Sequence, residues 1–82
     1  MRMNYRNYKN IFKDEAEVLT VTDVARLVKI GKNNSYDLIK KGDIPAIKLG
    51  RKIIVPKNSL IEFLLDEGNY MVLKRRQNSN IA

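Results

Sequence analysis

Apolar residues recur at the helical period in the first half of this chain. Val21, Val24, Ala25 and Val28 fall on one side of a helix, with Leu27 beside them. Thr20 stands just ahead and Asp23 three residues on, the spacing of a capping box, so a helix is expected over about Val21 to Val28. "VLT", Val18 to Thr20, is a short extended lead-in to it. After Gly31, the run "KNN" offers polar caps for a second helix. Ser35, Leu38 and Ile39 share one face of that helix, and Asn33, Tyr36, Asp37 and Lys40 share the other. Gly42 is placed to end it in the left-handed conformation, and Lys40 and Lys41 suit the negative end of its dipole. Two short helices joined across a glycine have the layout of a helix-turn-helix.

The period then changes to two. In "IPAIKLGRKIIVP", Ile44 to Pro56, Ile47 and Leu49 alternate with Ala46 and Lys48, and Ile53 and Val55 with Lys52 and Ile54. Alternation around a glycine-containing tip predicts a β-hairpin, with Pro45 and Pro56 at its ends where a missing donor is tolerated. Pro56 or Asn58 opens a further helix carrying Leu60, Ile61, Phe63, Leu64 and Leu65, which Gly68 is expected to end. "NYMVL" has no decided state, and "KRRQNSNIA" has the composition of a disordered basic tail. At the other end, Tyr5, Tyr8 and Phe12 are helically spaced within polar residues 1–17, which are expected to be an arm or a short helix. The organisation expected is therefore an N-terminal arm or helix over 1–17, one domain over 18–68, and a tail over 69–82.

Composition narrows the chemistry. The 82 residues contain no cysteine and no histidine, which removes thiol chemistry, the usual general base and the commonest zinc ligand. The carboxylates form no recognisable catalytic spacing. Neither an enzyme nor a bound metal or cofactor is expected. No apolar run is long enough for a membrane span, and "MRMNYRNYKNIFK" lacks the apolar core of a signal peptide, so a cytoplasmic protein without a membrane partner is expected.

The formal charge is +7. From Lys29 to Lys57 eight cations face Asp37 and Asp43, a local +6, and residues 69–82 add Lys74, Arg75 and Arg76 with no acid, leaving −2 for the remainder. Such clustering points to a polyanionic partner. The second helix supplies residue types that serve a DNA groove. Asparagine pairs bidentately with adenine, lysine reaches guanine or phosphate, and a tyrosine hydroxyl holds a phosphate oxygen.

The ordered set from "LTVTDVARLV" through "IGKNNSYDLIKKGDIPAIKLGRKIIVPKNSLIEFL" resembles the excisionase-type DNA-binding domains, small winged-helix proteins of the MerR-like superfamily. The likeness runs from Leu19 to Leu65. It implies an α+β fold: a small winged helix-turn-helix domain with a β-hairpin wing and a C-terminal helix. It further implies that Lys32, Asn33, Asn34, Tyr36, Asp37 and Lys40 belong to a recognition helix. Lys48, Gly50, Arg51 and Lys52 would form the wing, and Thr20 and Thr22 would meet the DNA backbone from the supporting helix. Three departures stand out. Lys29 replaces a common glycine, Ile54 replaces a cation on the outward side of the wing, and Asn34 and Asp37 are unusual choices. Asp37 is expected to pair with Lys40 or Lys41.

The function that the resemblance implies is that of an excisionase, or recombination directionality factor, of a bacterial mobile element. Such a protein binds and bends double-stranded attachment-site DNA, associates cooperatively with its own copies, and assists a cognate integrase of the tyrosine recombinase class. No small-molecule ligand is expected. A small transcriptional regulator without an effector domain is the alternative, and a protein-binding module using Ile54 and "YMVL" is a third class.

Overall fold

The computed structural model describes residues 4–79, as α1 (Tyr5–Ile11), β1 (Val18–Thr20), α2 (Val21–Val28), α3 (Lys32–Lys40), β2 (Ile47–Leu49), β3 (Lys52–Pro56), α4 (Lys57–Leu65) and α5 (Glu67–Ser79). The first three residues of the expected arm and the last three of the expected tail lie outside the described residues. The three strands form an antiparallel sheet in the order β1-β3-β2. This is the small α+β winged helix-turn-helix domain that the resemblance implies.

Local chemistry sets the helix ends. Thr20 Oγ1 accepts from the Asp23 N–H at 3.1 Å and Asp23 Oδ2 accepts from the Thr20 N–H at 3.0 Å, closing the capping box of α2. At the far end Lys29 sits in the left-handed region, φ 57 and ψ 43. Gly31 also has positive φ, at 81, so both residues shape the turn between α2 and α3. The expected polar cap of α3 is absent. Gly31 is its N-cap, with no side-chain cap bond, and Ser35 Oγ and Asn34 Nδ2 turn back instead to the carbonyls of Gly31 and Ile30. Gly42, at φ 86, stops α3 as predicted. Its N–H donates to Ile39 O at 3.0 Å and the Asp43 N–H to Leu38 O at 2.9 Å, the pair of bonds of a Schellman motif.

One core joins these elements. Leu19 from β1, Val24 and Val28 from α2, Leu38 from α3, Val55 from β3, and Leu60 and Ile61 from α4 are all buried, together with Ile30 and Ile44 in the connections. Tyr8 and Phe12 are buried in the same cluster, so residues 4–12 form a packed helix and its cap rather than a loose arm. Lys57 fastens this segment. Its buried Nζ donates to the carbonyls of Phe12 (3.3 Å) and Glu15 (3.1 Å) and pairs with Glu17 at 3.4 Å. Lys57 therefore belongs to the interior and adds nothing to an outward positive face.

The expected end of the last helix is corrected. Gly68 does not end the last helix. The chain breaks at Asp66 instead, and α5 then runs thirteen residues, carrying Gly68, "NYMVL" and the basic residues 74–76. Buried Leu73 anchors α5, which explains why a polar stretch with little apolar content is helical here. In the hairpin, Ile47 pairs with Ile54 and Lys48 with Ile53. Lys48 thus shares a face with Ile53, while Ile47 and Leu49 point to the outer side and are exposed. Ile54, paired with Ile47 and Thr20, is half-buried.

Candidate nucleic-acid interface

The residues singled out on the second helix divide into two stripes. Lys32, Asn33, Tyr36 and Lys40 are exposed and follow one another up the outer side of α3. No hydrogen bond or ion pair engages their side chains among the described residues, so their side-chain donors face solvent. Asn34 and Asp37 lie a quarter-turn away and are occupied. Asn34 Oδ1 accepts from Arg76 Nη1 at 2.7 Å, and Asp37 Oδ2 accepts from Arg76 Nη2 at 2.8 Å. Asp37 also pairs with Lys41 at 3.3 Å, one of the two partners expected from helical spacing. The Arg76 guanidinium, and after it Lys41, hold the Asp37 carboxyl below the ordinary carboxylate range, against a partial desolvation that pushes the other way.

The wing stands beside α3. Its tip is the two-residue link Gly50-Arg51 between paired Leu49 and Lys52. Gly50 takes φ +60 with nothing within 4 Å of an added Cβ, so glycine is needed there for conformation and not for space. A positive φ at the first central residue only is the pattern of a type II′ hairpin turn, whose twist suits the two strands. Arg51 and Lys52 are exposed at this tip, and Lys48 lies one pair behind it.

Between α3 and the hairpin runs a groove of about 590 Å³. Ile39, Ile44, Pro45, Ala46 and Ile53 make its apolar floor, and Tyr36, Lys40 and Lys48 supply its polar groups. No acid lines it. The groove is thus apolar at its floor and positively charged at its edge. Thr20 and Thr22 are exposed at the start of α2, although Thr20 Oγ1 is already an acceptor in the cap.

Sequence inspection missed Arg76 and Gln77 as partners of this region. Gln77 Nε2 donates to Val28 O at 2.7 Å, at the end of α2. Arg76 and Gln77 lie in the segment read as a tail, and only tertiary packing brings them here. No group of three or more histidine, cysteine or carboxylate side chains suited to a metal ion exists among the described residues. No helix among them is long and apolar enough to cross a membrane.

Comparison with known proteins agrees with the helix-turn-helix fold. Residues 18–67 match the family model described as a helix-turn-helix domain. Over 50 residues, 61% of this chain, it is 40% identical to "Uncharacterized protein YvgK" of Bacillus subtilis (strain 168), covering 16% of that protein. Over 50 residues, again 61% of the chain, it is 32% identical to "Putative DNA-binding protein MT0521" of Mycobacterium tuberculosis (strain CDC 1551 / Oshkosh), covering 64% of it. The same figures hold for "Putative DNA-binding protein Rv0500A" of Mycobacterium tuberculosis (strain ATCC 25618 / H37Rv). The chain thus spans less than two thirds of each of these relatives. No solved structure matches it.

Proposed function

From the premise that this chain belongs to the helix-turn-helix domain family, we propose that it binds double-stranded DNA with α3 in the major groove and the hairpin along the adjacent backbone. The observation that carries this proposal is the acid-free groove between α3 and the wing, with Lys40 and Lys48 among its lining residues. A strand seated there meets Tyr36 and both lysines, while Arg51 and Lys52 reach the next phosphates. Lys32 and Asn33, at the N-terminal end of α3, are then the base-reading residues. Gly50 lets the tip approach closely, and Thr20 and Thr22 contact the backbone from the start of α2. The names of the mycobacterial relatives support a DNA-binding role.

Within that role, the ordered likeness to excisionase-type domains favours an accessory factor of site-specific recombination. It makes and breaks no bonds itself. Several copies bend attachment-site DNA, each through modest phosphate contacts, and a tyrosine-class integrase assembles on the bent duplex. Excision by a cognate integrase, with and without this protein, is the test. Stimulated excision with a bend in a circular-permutation assay is expected. Tight promoter binding with reporter repression and no effect on excision would establish the regulator instead. No measurable duplex affinity at low salt would remove DNA binding and leave the outer sheet face as a protein-binding surface.

A further inference from the structure

The segment beyond the family match is in contact with the element that would read DNA. Arg76 lies outside residues 18–67, yet its guanidinium joins Asn34 and Asp37, which are 42 and 39 residues away along the chain. Its side chain is only 22% exposed, so the fork is set in place and not waving at the surface. Asn34 carries the connection onward, because its Nδ2 donates to Ile30 O at 2.7 Å in the inter-helix turn. One residue along α5, Gln77 closes on Val28 O at the end of α2. Buried Leu73 holds α5 against the core one turn earlier. Adjacent residues of one helix thus grip both helices of the helix-turn-helix and the turn between them.

The charges give this grip a second consequence. Asp37 is the one acid on α3, and it lies beside the stripe of Lys32, Tyr36 and Lys40. An open carboxylate there repels phosphate. Arg76 and Lys41 both pair with it and offset its charge.

We propose that Arg76 is a positioning residue of the DNA-binding unit, which fixes α3 through Asn34 and masks the Asp37 carboxylate from the phosphate backbone. The proposal rests on the DNA-binding function stated above. It assigns Asn34 and Asp37 to holding the recognition helix rather than to reading bases. It also makes α5 part of the functional domain.

The experiment is a double-mutant cycle on the full chain. Binding of a fluorescein-labelled mixed-sequence duplex is followed by anisotropy for wild type, Arg76→Ala, Asp37→Asn and the pair. Arg76→Ala is expected to weaken binding about tenfold, since it removes a cation and uncovers an anion facing phosphate. Asp37→Asn in the Arg76→Ala background is expected to recover most of that loss, to within about threefold of wild type. Arg76→Lys, which keeps charge but not the fork, is expected to fall between. A pair as weak as Arg76→Ala alone would mean that Arg76 itself holds phosphate, and an unaffected Arg76→Ala would mean that it does nothing for binding. Either result overturns the proposal. Amide hydrogen exchange in the free protein separates the grip from the DNA-binding premise. Faster exchange confined to the inter-helix turn and α3 in Arg76→Ala is expected, and unchanged exchange there refutes the grip. A wild type with no affinity for the duplex, but with this exchange pattern, refutes the premise and the masking role and leaves a purely structural clamp.

Discussion

Replacing Lys29 by glycine should make this protein more stable. Lys29 occupies φ 57 and ψ 43, the centre of the left-handed region, and the next residue, Ile30, is fully buried. The turn into α3 is therefore pinned, and Lys29 has no freedom to relax. A side chain in that conformation costs roughly 1–2 kcal/mol. Glycine removes that cost but loses about 0.4–1 kcal/mol through the greater freedom of its unfolded chain. Lys29 is exposed and makes no side-chain hydrogen bond or ion pair among the described residues, so little else is lost. The net gain is about 0.5–1 kcal/mol, or a rise in Tm of roughly 3–6 °C for a domain of this size. Thermal unfolding followed by circular dichroism measures it. Lys29→Ala is the control, because it removes the charge and keeps the strain; its Tm should stay near that of wild type. If Lys29→Ala stabilises as much as Lys29→Gly, charge repulsion and not backbone strain is responsible. A lower Tm for Lys29→Gly refutes the reasoning outright.

Other consequences are equally direct. Gly50→Ala should destabilise by about 1 kcal/mol in a denaturant titration, since its Cβ meets nothing and only the positive φ is penalised. Lys57→Met should lower stability by about 1–3 kcal/mol, because it keeps the side-chain bulk but leaves the Phe12 and Glu15 carbonyls without their donor; exchange in α1 should quicken with it. The pH profile should be flat from about pH 5.5 to 8.5, for the chain has no histidine. Glu15 is held below its ordinary range by Arg26, Asp23 by the Thr20 N–H, and Asp37 by Arg76. Folded-state values below the unfolded ones mean that their contribution is present above the ordinary carboxylate range. It disappears as pH falls through the depressed values, so Tm should begin to drop below about pH 4.5.

The parts of this fold that sequence made legible are those fixed by neighbours in the chain. Thr20 and Asp23 announce a cap, Gly42 a helix end, and Gly50 a hairpin tip, because each acts within a few residues of itself. The illegible parts depend on distant partners. α5 is held by buried Leu73 and by polar grips that include Arg76 and Gln77, and none of these shows as a periodic stripe. Lys57 counts as one more cation until the Phe12 and Glu15 carbonyls are seen around it. The sides taken by Ile47 and Lys48 follow from the two-residue tip, which sets the register; alternation alone leaves that choice open. For the candidate interface, helical spacing placed Asn33, Tyr36 and Lys40 outward, where the structure has them, while Asp37, read onto the same face, could not be separated from them without α5 in place.

The central claim is that α3 and the wing together hold a duplex, and salt dependence of binding tests it most directly. The affinity of wild type for a short duplex should fall linearly on a logarithmic salt axis, with a slope near −0.9 for each phosphate contact. Replacing Lys48, Arg51 and Lys52 together by alanine should shrink that slope by about 2.7 and weaken binding alike for every sequence tried. A slope unchanged by the triple replacement, or no duplex affinity at low salt, would contradict the account.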